Sequence, residues 1–174
     1  MSKKILLLVL IGPTAVGKTS TSIKVAQELD AEIISADSMQ IYKYMDIGTA
    51  KVTEDEMENI KHYMVGEILP DEDFSVSDFQ DRAKEYREEI YDKGKLPMVV
   101  GGTGLYINSL VYNLDFTQAV SNPELREEYF SKAEIHGNDY IFEEMKKVDP
   151  KSADRIHIND TKRIVRALEI YHET

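Results

Sequence analysis

Cysteine is absent from the 174 residues. That excludes disulfide bonding, cysteine-ligated zinc and thiol catalysis, and it leaves the redox compartment unread. Long apolar runs are missing as well, and none reaches the length needed to cross a bilayer. The stretch Ile5 to Ile11 follows Lys3 and Lys4 and superficially resembles a secretion signal. It is at the lower limit of length for a signal core and continues straight into a Gly-containing loop with no cleavage-type segment, so a buried strand is expected instead. The four histidines, His62, His136, His157 and His172, have no metal-ligand spacing. Internal repeats, low-complexity tracts and Gly/Ser linkers are also lacking. A soluble, cytoplasmic protein with no membrane partner is expected.

What is present suits a globular protein. Hydrophobic residues make up 42% and charged residues 30% of the chain, enough to bury a core. The formal net charge of −11 argues against nucleic-acid binding only weakly, because binding depends on where charges sit. The acids gather in 54–58 and 71–92. The first 24 residues carry Lys3, Lys4, Lys18 and Lys24 and no acid, and 155–166 carries four Lys or Arg and one acid.

Strands and helices alternate in the first two-thirds. Ile5 to Ile11 reads as a central parallel strand covered on both faces. Thr19 to Leu29 reads as a helix, Glu32 to Ala36 as a strand, and Thr53 as the start of an acid-led helix. Ser75 caps a helix with Phe79, Ala83, Tyr86 and Ile90 on one face, ending near Lys93-Gly94. Leu96 to Val100 is a third strand, followed by Gly101-Gly102-Thr103-Gly104 and a helix over Leu105 to Tyr112. This alternation predicts an α/β domain with a parallel sheet over residues 1–116. From Asn122-Pro123 the signals are only helical, so residues 117–174 are expected to form a helical module. Its last helix, capped by Asn159-Asp160, has Ile164, Leu168 and Tyr171 as its apolar stripe. At about 100° per residue, Lys162 and Arg166 fall opposite that stripe and Arg163 on its flank.

The strongest motif is Gly12-Pro13-Thr14-Ala15-Val16-Gly17-Lys18-Thr19, which fits G-x-x-x-x-G-K-[ST] between a strand and a helix. Its backbone N–H groups can face an anion, Lys18 adds a point charge, and the Thr19 hydroxyl can hold Mg²⁺. Taken alone the loop fits a nucleoside triphosphate, and it fixes a phosphate without fixing a reaction. Asp37 ends the second strand and should face the same crevice. It can be a Mg²⁺ ligand, a general base or the cap of a turn. The run Gly101 to Gly104 should border the crevice too, either approaching a ligand or simply turning the chain. Lys162, Arg163 and Arg166, with Arg155, His157 and Arg126, form either a solvated face or a contact for RNA phosphates. Composition alone favours the solvated face.

These motifs in combination resemble the tRNA dimethylallyltransferases, also called tRNA isopentenyl transferases. The matching segments are GPTAVGKTS at 12–20, ISADSMQIYKYMDIGTAK at 34–51, FSVSDF at 74–79, PMVVGGTGLY at 97–106 and NDTKRIVRALE at 159–169. The resemblance implies a P-loop NTPase-like core with an inserted helical module. It implies transfer of a dimethylallyl group from dimethylallyl pyrophosphate to the N6 amine of the adenosine 3′ of the anticodon, with Mg²⁺ as cofactor and no ATP hydrolysis. Gly12 to Thr19 would hold the pyrophosphate, with Lys18 also serving catalysis. Asp37 would be the base on N6, Ser38, Met39 and Gln40 would line the nucleotide site, and Thr103 would sit by the reacting groups. Arg126 with Asn159, Asp160, Thr161, Lys162 and Arg163 would contact tRNA. A monomer is expected. The family's members are longer than this chain, and its core resumes with a further catalytic arginine beyond this point, so an N-terminal portion is expected. Three alternatives share the loop: an adenylate dimethylallyltransferase, a P-loop small-molecule kinase, and a non-catalytic RNA-binding fragment.

Overall fold

The structure is a computed structural model and describes residues 5–116 and 121–173. The chain divides into two compact units between Leu114 and Asp115. The expected start of the helical module at residue 117 lies outside the described residues.

In the first unit, β1 (Leu8–Ile11), β2 (Ala31–Ala36), β3 (His62–Tyr63) and β4 (Leu96–Gly101) form a parallel sheet in the order β1-β4-β2-β3. The helices of this unit are α1 (Lys18–Glu28), the single-turn α2 (Glu54–Met57), α3 (Val76–Asp92) and α4 (Gly104–Val111). Side chains alternate across a strand, so β2 sends Ile33 and Ser35 to one face and Ile34 and Ala36 to the other. Ala26 of α1 packs on the first face with Ala31, Ile33 and Met98. Phe79, Ala83 and Ile90 of α3 and Tyr106 and Ile107 of α4 cover the second. Phe79 and Tyr106 stack there with ring centroids 4.1 Å apart. Helices on both faces of an all-parallel sheet make this an α/β domain.

The ends of these elements follow their caps. Ser75 and Asp78 exchange hydrogen bonds in a full capping box, and so do Thr53 and Glu56. Gly94 ends the turn after α3 with φ +80°, a left-handed conformation that glycine adopts without a Cβ clash. One expectation is corrected. The strand expected over Ile5 to Ile11 is shorter, and among the described residues β1 pairs with β4 alone and sits at the sheet edge. Ile11 is exposed. An apolar run reveals burial but not strand order, and β2, fully buried along its length, is the more central strand. The helix begun by Thr53 is one turn only, because Glu58 and Asn59 both turn left-handed after it. The pairing of β3, two residues long, had no periodic signal to find.

The second unit holds α5 (Pro123–His136), α6 (Asn138–Val148), α7 (Pro150–Ala153) and α8 (Thr161–Glu173). Asn122 caps α5 through Leu125 N–H with Pro123 at the first helical position. Tyr129, Ile141, Met145, Ile164, Val165 and Leu168 form its core. The inward face of α8 differs from expectation. Tyr171 is half exposed, whereas Val165 and Glu169 are buried. The buried face is therefore rotated by about 60° from the Ile164/Leu168/Tyr171 stripe. Arg163 points away from the core, and Lys162 and Arg166 lie on its flanks. The stripe misled because a buried Glu169 does not register as apolar.

Candidate active site

The site grows from the ends of three parallel strands. β1 leads into the Gly12–Gly17 loop, and α1 starts at Lys18. Gly17 has φ +81°, and Ala15 is also left-handed at φ 67°, so the loop curls back over the helix end. No side chain caps α1 and no acid lies in its first turn. The first N–H groups and the positive end of the helix dipole are thus left to an anion. The Lys18 ammonium donates to the Pro13 carbonyl and lies folded over its own loop.

At the end of β2, Asp37 is half-buried. Its Oδ1 accepts the Met39 N–H at 3.0 Å, which makes the tight turn of 37–39. Its Oδ2 has no protein partner among the described residues. Thr103 binds this turn from β4: its N–H donates to the Ala36 carbonyl at 3.1 Å, and its Oγ1 accepts the Ser38 N–H at 3.1 Å. Thr103 therefore holds Asp37's turn in place. The Gln40 amide donates to the Ala50 carbonyl at 3.1 Å and closes the far wall.

The glycines after β4 divide in role. A Cβ on Gly101 would stand 2.2 Å from the Ala36 carbonyl oxygen, so Gly101 is required by backbone packing between β2 and β4 and not by a ligand. A Cβ on Gly102 would come within 3.2 Å of the Gly12 carbonyl oxygen, which ties this turn to the phosphate loop.

Together these parts enclose a cavity of about 490 Å³. Thr14, Lys18, Thr19, Asp37, Met39 and Gln40 all line it, so the loop, the carboxylate and the turn residues share one space. Pro13 lies in a neighbouring hollow with Gly12 and Gly102. A volume of that size falls in the ordinary range of small-molecule sites.

Sequence reasoning missed the floor. Ser35 and His62 line the cavity on the face of Ile33 and Val100. Ser35 is buried, and its hydroxyl has no hydrogen-bond partner among the described residues. Burial pushes the His62 imidazole below its ordinary value, against the opposing pull of the Nδ1 contact with the Ile60 carbonyl at 2.9 Å. Burial thus favours its neutral form. The two-residue strand that places it was the missing signal.

As for a metal, Thr19 and Asp37 offer oxygen donors to one cavity, and no cluster of three His, Cys, Asp or Glu occurs among the described residues. That sparse, hard donor set fits Mg²⁺, which keeps waters and takes its remaining ligands from phosphates.

In the helical unit the expected RNA-contacting residues separate. Asn159, Asp160, Thr161 and Lys162 line an open pocket with His157 and Phe130. Asp160 caps α8 through the Arg163 N–H at 3.2 Å, and Thr161 donates to Asn138 at 2.9 Å. Lys162 is exposed and has no ion pair among the described residues. Arg126 instead donates Nε to Glu169 at 2.8 Å. Glu169 also accepts the Asn122 N–H at 2.7 Å and Nη1 of Arg166. Burial alone would raise the Glu169 carboxyl, but the bonds from Asn122, Arg166 and Arg126 outweigh it and hold it low.

A strand-loop-helix turn that leaves its helix N-terminus uncapped, followed by a carboxylate at the next strand end of a parallel sheet, defines a P-loop NTPase-like α/β domain. The IPP transferase family matches residues 40–174. The chain is 60% identical over 168 residues to the tRNA dimethylallyltransferase of Clostridioides difficile (strain 630), covering 97% of this chain and 54% of that protein. With the tRNA dimethylallyltransferase of Acetivibrio thermocellus it shares 56% identity, covering 96% and 53%. Among solved structures, the full-length tRNA isopentenylpyrophosphate transferase of Bacillus halodurans superposes with TM-score 0.66 at 43% identity, covering 98% of this chain and 56% of that one. A eukaryotic dimethylallyltransferase acting on tRNA superposes with TM-score 0.79 at 33% identity, covering 97% and 42%. The chain belongs to the IPP transferase family, and it spans about half the length of the relatives it matches. Among its described residues no helix is long and apolar enough to cross a membrane.

Proposed function

We propose that the protein containing this chain transfers a dimethylallyl group from dimethylallyl pyrophosphate to the N6 amine of the adenosine 3′ of the anticodon in tRNA. The observation that carries the reading is the single cavity shared by the phosphate loop and the free oxygen of Asp37. A leaving group and an acceptor can meet there.

The uncapped N–H groups of the loop and the α1 terminus bind the pyrophosphate and stabilise the charge that develops as the allylic C–O bond breaks. Lys18 swings from the Pro13 carbonyl onto a phosphate oxygen. Thr19 would hold Mg²⁺, which when bound neutralises pyrophosphate charge. The adenine amine is a weak nucleophile because its lone pair is delocalised into the ring. As the N6–C bond forms, Asp37 Oδ2 takes one N6 proton. Thr103 keeps that carboxylate aimed by fixing the Ser38 N–H. The base reaches Asp37 by leaving its stack, as base-modifying enzymes require. Met39 and Gln40 line its entry, while Lys162 and its neighbours on α8 supply RNA contacts.

Incubation of the full-length protein with dimethylallyl pyrophosphate and either tRNA or AMP, without ATP, tests this. Prenylated tRNA is expected. Prenylation of AMP alone would assign the protein to the adenylate class, and phosphorylation of an acceptor in a parallel incubation with ATP, without prenyl transfer, would make it a kinase.

A further inference from the structure

The segment after Asp37 carries apolar side chains that the chemistry above does not use. Ile47 is 99% exposed and Tyr44 is 81% exposed. Their exposure is not the looseness of a free loop. Lys51 donates to the Tyr42 carbonyl and to Asp46 Oδ1, both at 2.6 Å. Thr49 Oγ1 donates to the Met45 carbonyl, and Gln40 ties the loop's end through Ala50. Tyr44 itself is left-handed at φ 64°, a conformation costly for an aromatic residue. It has no hydrogen bond or ring contact among the described residues to offset that cost. Met39, Gly48 and Thr49 line both the active-site cavity and a second hollow of about 430 Å³ bounded by Tyr44 and Ile47. The braced apolar tip therefore stands beside the cavity mouth.

We infer that Tyr44 and Ile47 form a stacking platform for an unstacked nucleobase adjacent to the reacting adenosine of the acceptor RNA. The inference rests on the proposed RNA acceptor. An adenine that leaves its stack to reach Asp37 deprives its neighbour of a stacking partner. An aromatic face next to the mouth replaces that partner without reading base identity. The loop bracing holds the platform ready before RNA arrives.

The test uses the full-length protein and anticodon stem-loops carrying 2-aminopurine on either side of the acceptor adenosine in turn. With the wild type, one of the two labels stays quenched on binding; with Tyr44→Ala it brightens. The KM for RNA rises roughly 5- to 150-fold in Tyr44→Ala, as loss of one base stack implies, whereas the KM for dimethylallyl pyrophosphate holds. Tyr44→Phe restores both the quenching and the wild-type KM. Melting temperatures of Tyr44→Ala and Ile47→Ser stay near wild type, because both side chains face solvent. An unchanged KM and fluorescence in a Tyr44→Ala enzyme that still transfers overturns the platform. So does a fall of several degrees in melting temperature, which would show that the rest of the protein packs on the tip. A wild type that transfers to no RNA overturns the acceptor reading itself, and the platform with it.

Discussion

Asp37→Asn separates the two jobs this side chain can do. Oδ1 receives the Met39 N–H, and an asparagine carbonyl accepts that bond equally well, so the turn survives. Oδ2, free in the cavity, becomes an amide NH₂ that cannot take a proton. A positioned general base contributes about 10²- to 10⁴-fold, so kcat should fall by that factor while the melting temperature stays within a degree or two. Pyrophosphate binding, which rests on the loop N–H groups and Lys18, should change little. Asp37→Ala removes the turn bond as well, worth about 1 kcal/mol, and should lose stability in addition to rate. The assay is single-turnover transfer with labelled dimethylallyl pyrophosphate, alongside inhibition by inorganic pyrophosphate. An Asp37→Asn enzyme within a few-fold of the wild-type rate would refute the assignment of Asp37 as base. A large loss of pyrophosphate affinity would make it chiefly a metal ligand.

Gly101→Ala places a Cβ 2.2 Å from the Ala36 carbonyl oxygen; β2 and β4 must part, costing about 1–3 kcal/mol or more, and thermal unfolding should show a drop of roughly 5–10 °C. Glu169→Gln strips a fully buried carboxylate from Arg126 and Arg166; because both arginine side chains keep a third or more of their surface in solvent, the cost is about 1–3 kcal/mol, and proteolysis should cut the helical unit preferentially. Because the folded Glu169 pKa is depressed, its contribution is present above the ordinary carboxylate value and is lost as pH falls through the lowered one; acid titration by circular dichroism should find the helical unit of Glu169→Gln less pH-dependent in that acid window. Lys162→Ala should weaken tRNA binding and reduce the slope of log affinity against log salt by about one, without altering transfer at saturating tRNA.

The strand-loop-helix turn at 12–19 was legible in the sequence because an apolar run, glycines that permit positive φ and a following amphipathic segment mark it locally. Asp37 was placed by the same logic, since strand ends in a parallel sheet share one side. Gly101 was legible as a necessity but not in its cause: the approach it allows is to Ala36, and only strand order reveals that. His62 and Ser35 were invisible because one sits on a two-residue strand and the other in a run that reads as plain core. On α8 the apolar stripe marked the helix but misjudged its facing, because Glu169 is buried by salt bridges and not by hydrophobicity. Arg126 read as a free cation for the same reason.

On the proposed function, the loop at 12–19 and Asp37 serve one allylic transfer to RNA. Nucleoside digestion and mass spectrometry of unmodified tRNA, after reaction with the full-length protein and dimethylallyl pyrophosphate, tests it most directly. The predicted result is one N6-dimethylallyl adenosine immediately 3′ of the anticodon for each pyrophosphate released, with no nucleotide hydrolysed. Pyrophosphate release without that modified adenosine, or modification at another nucleoside, would contradict it.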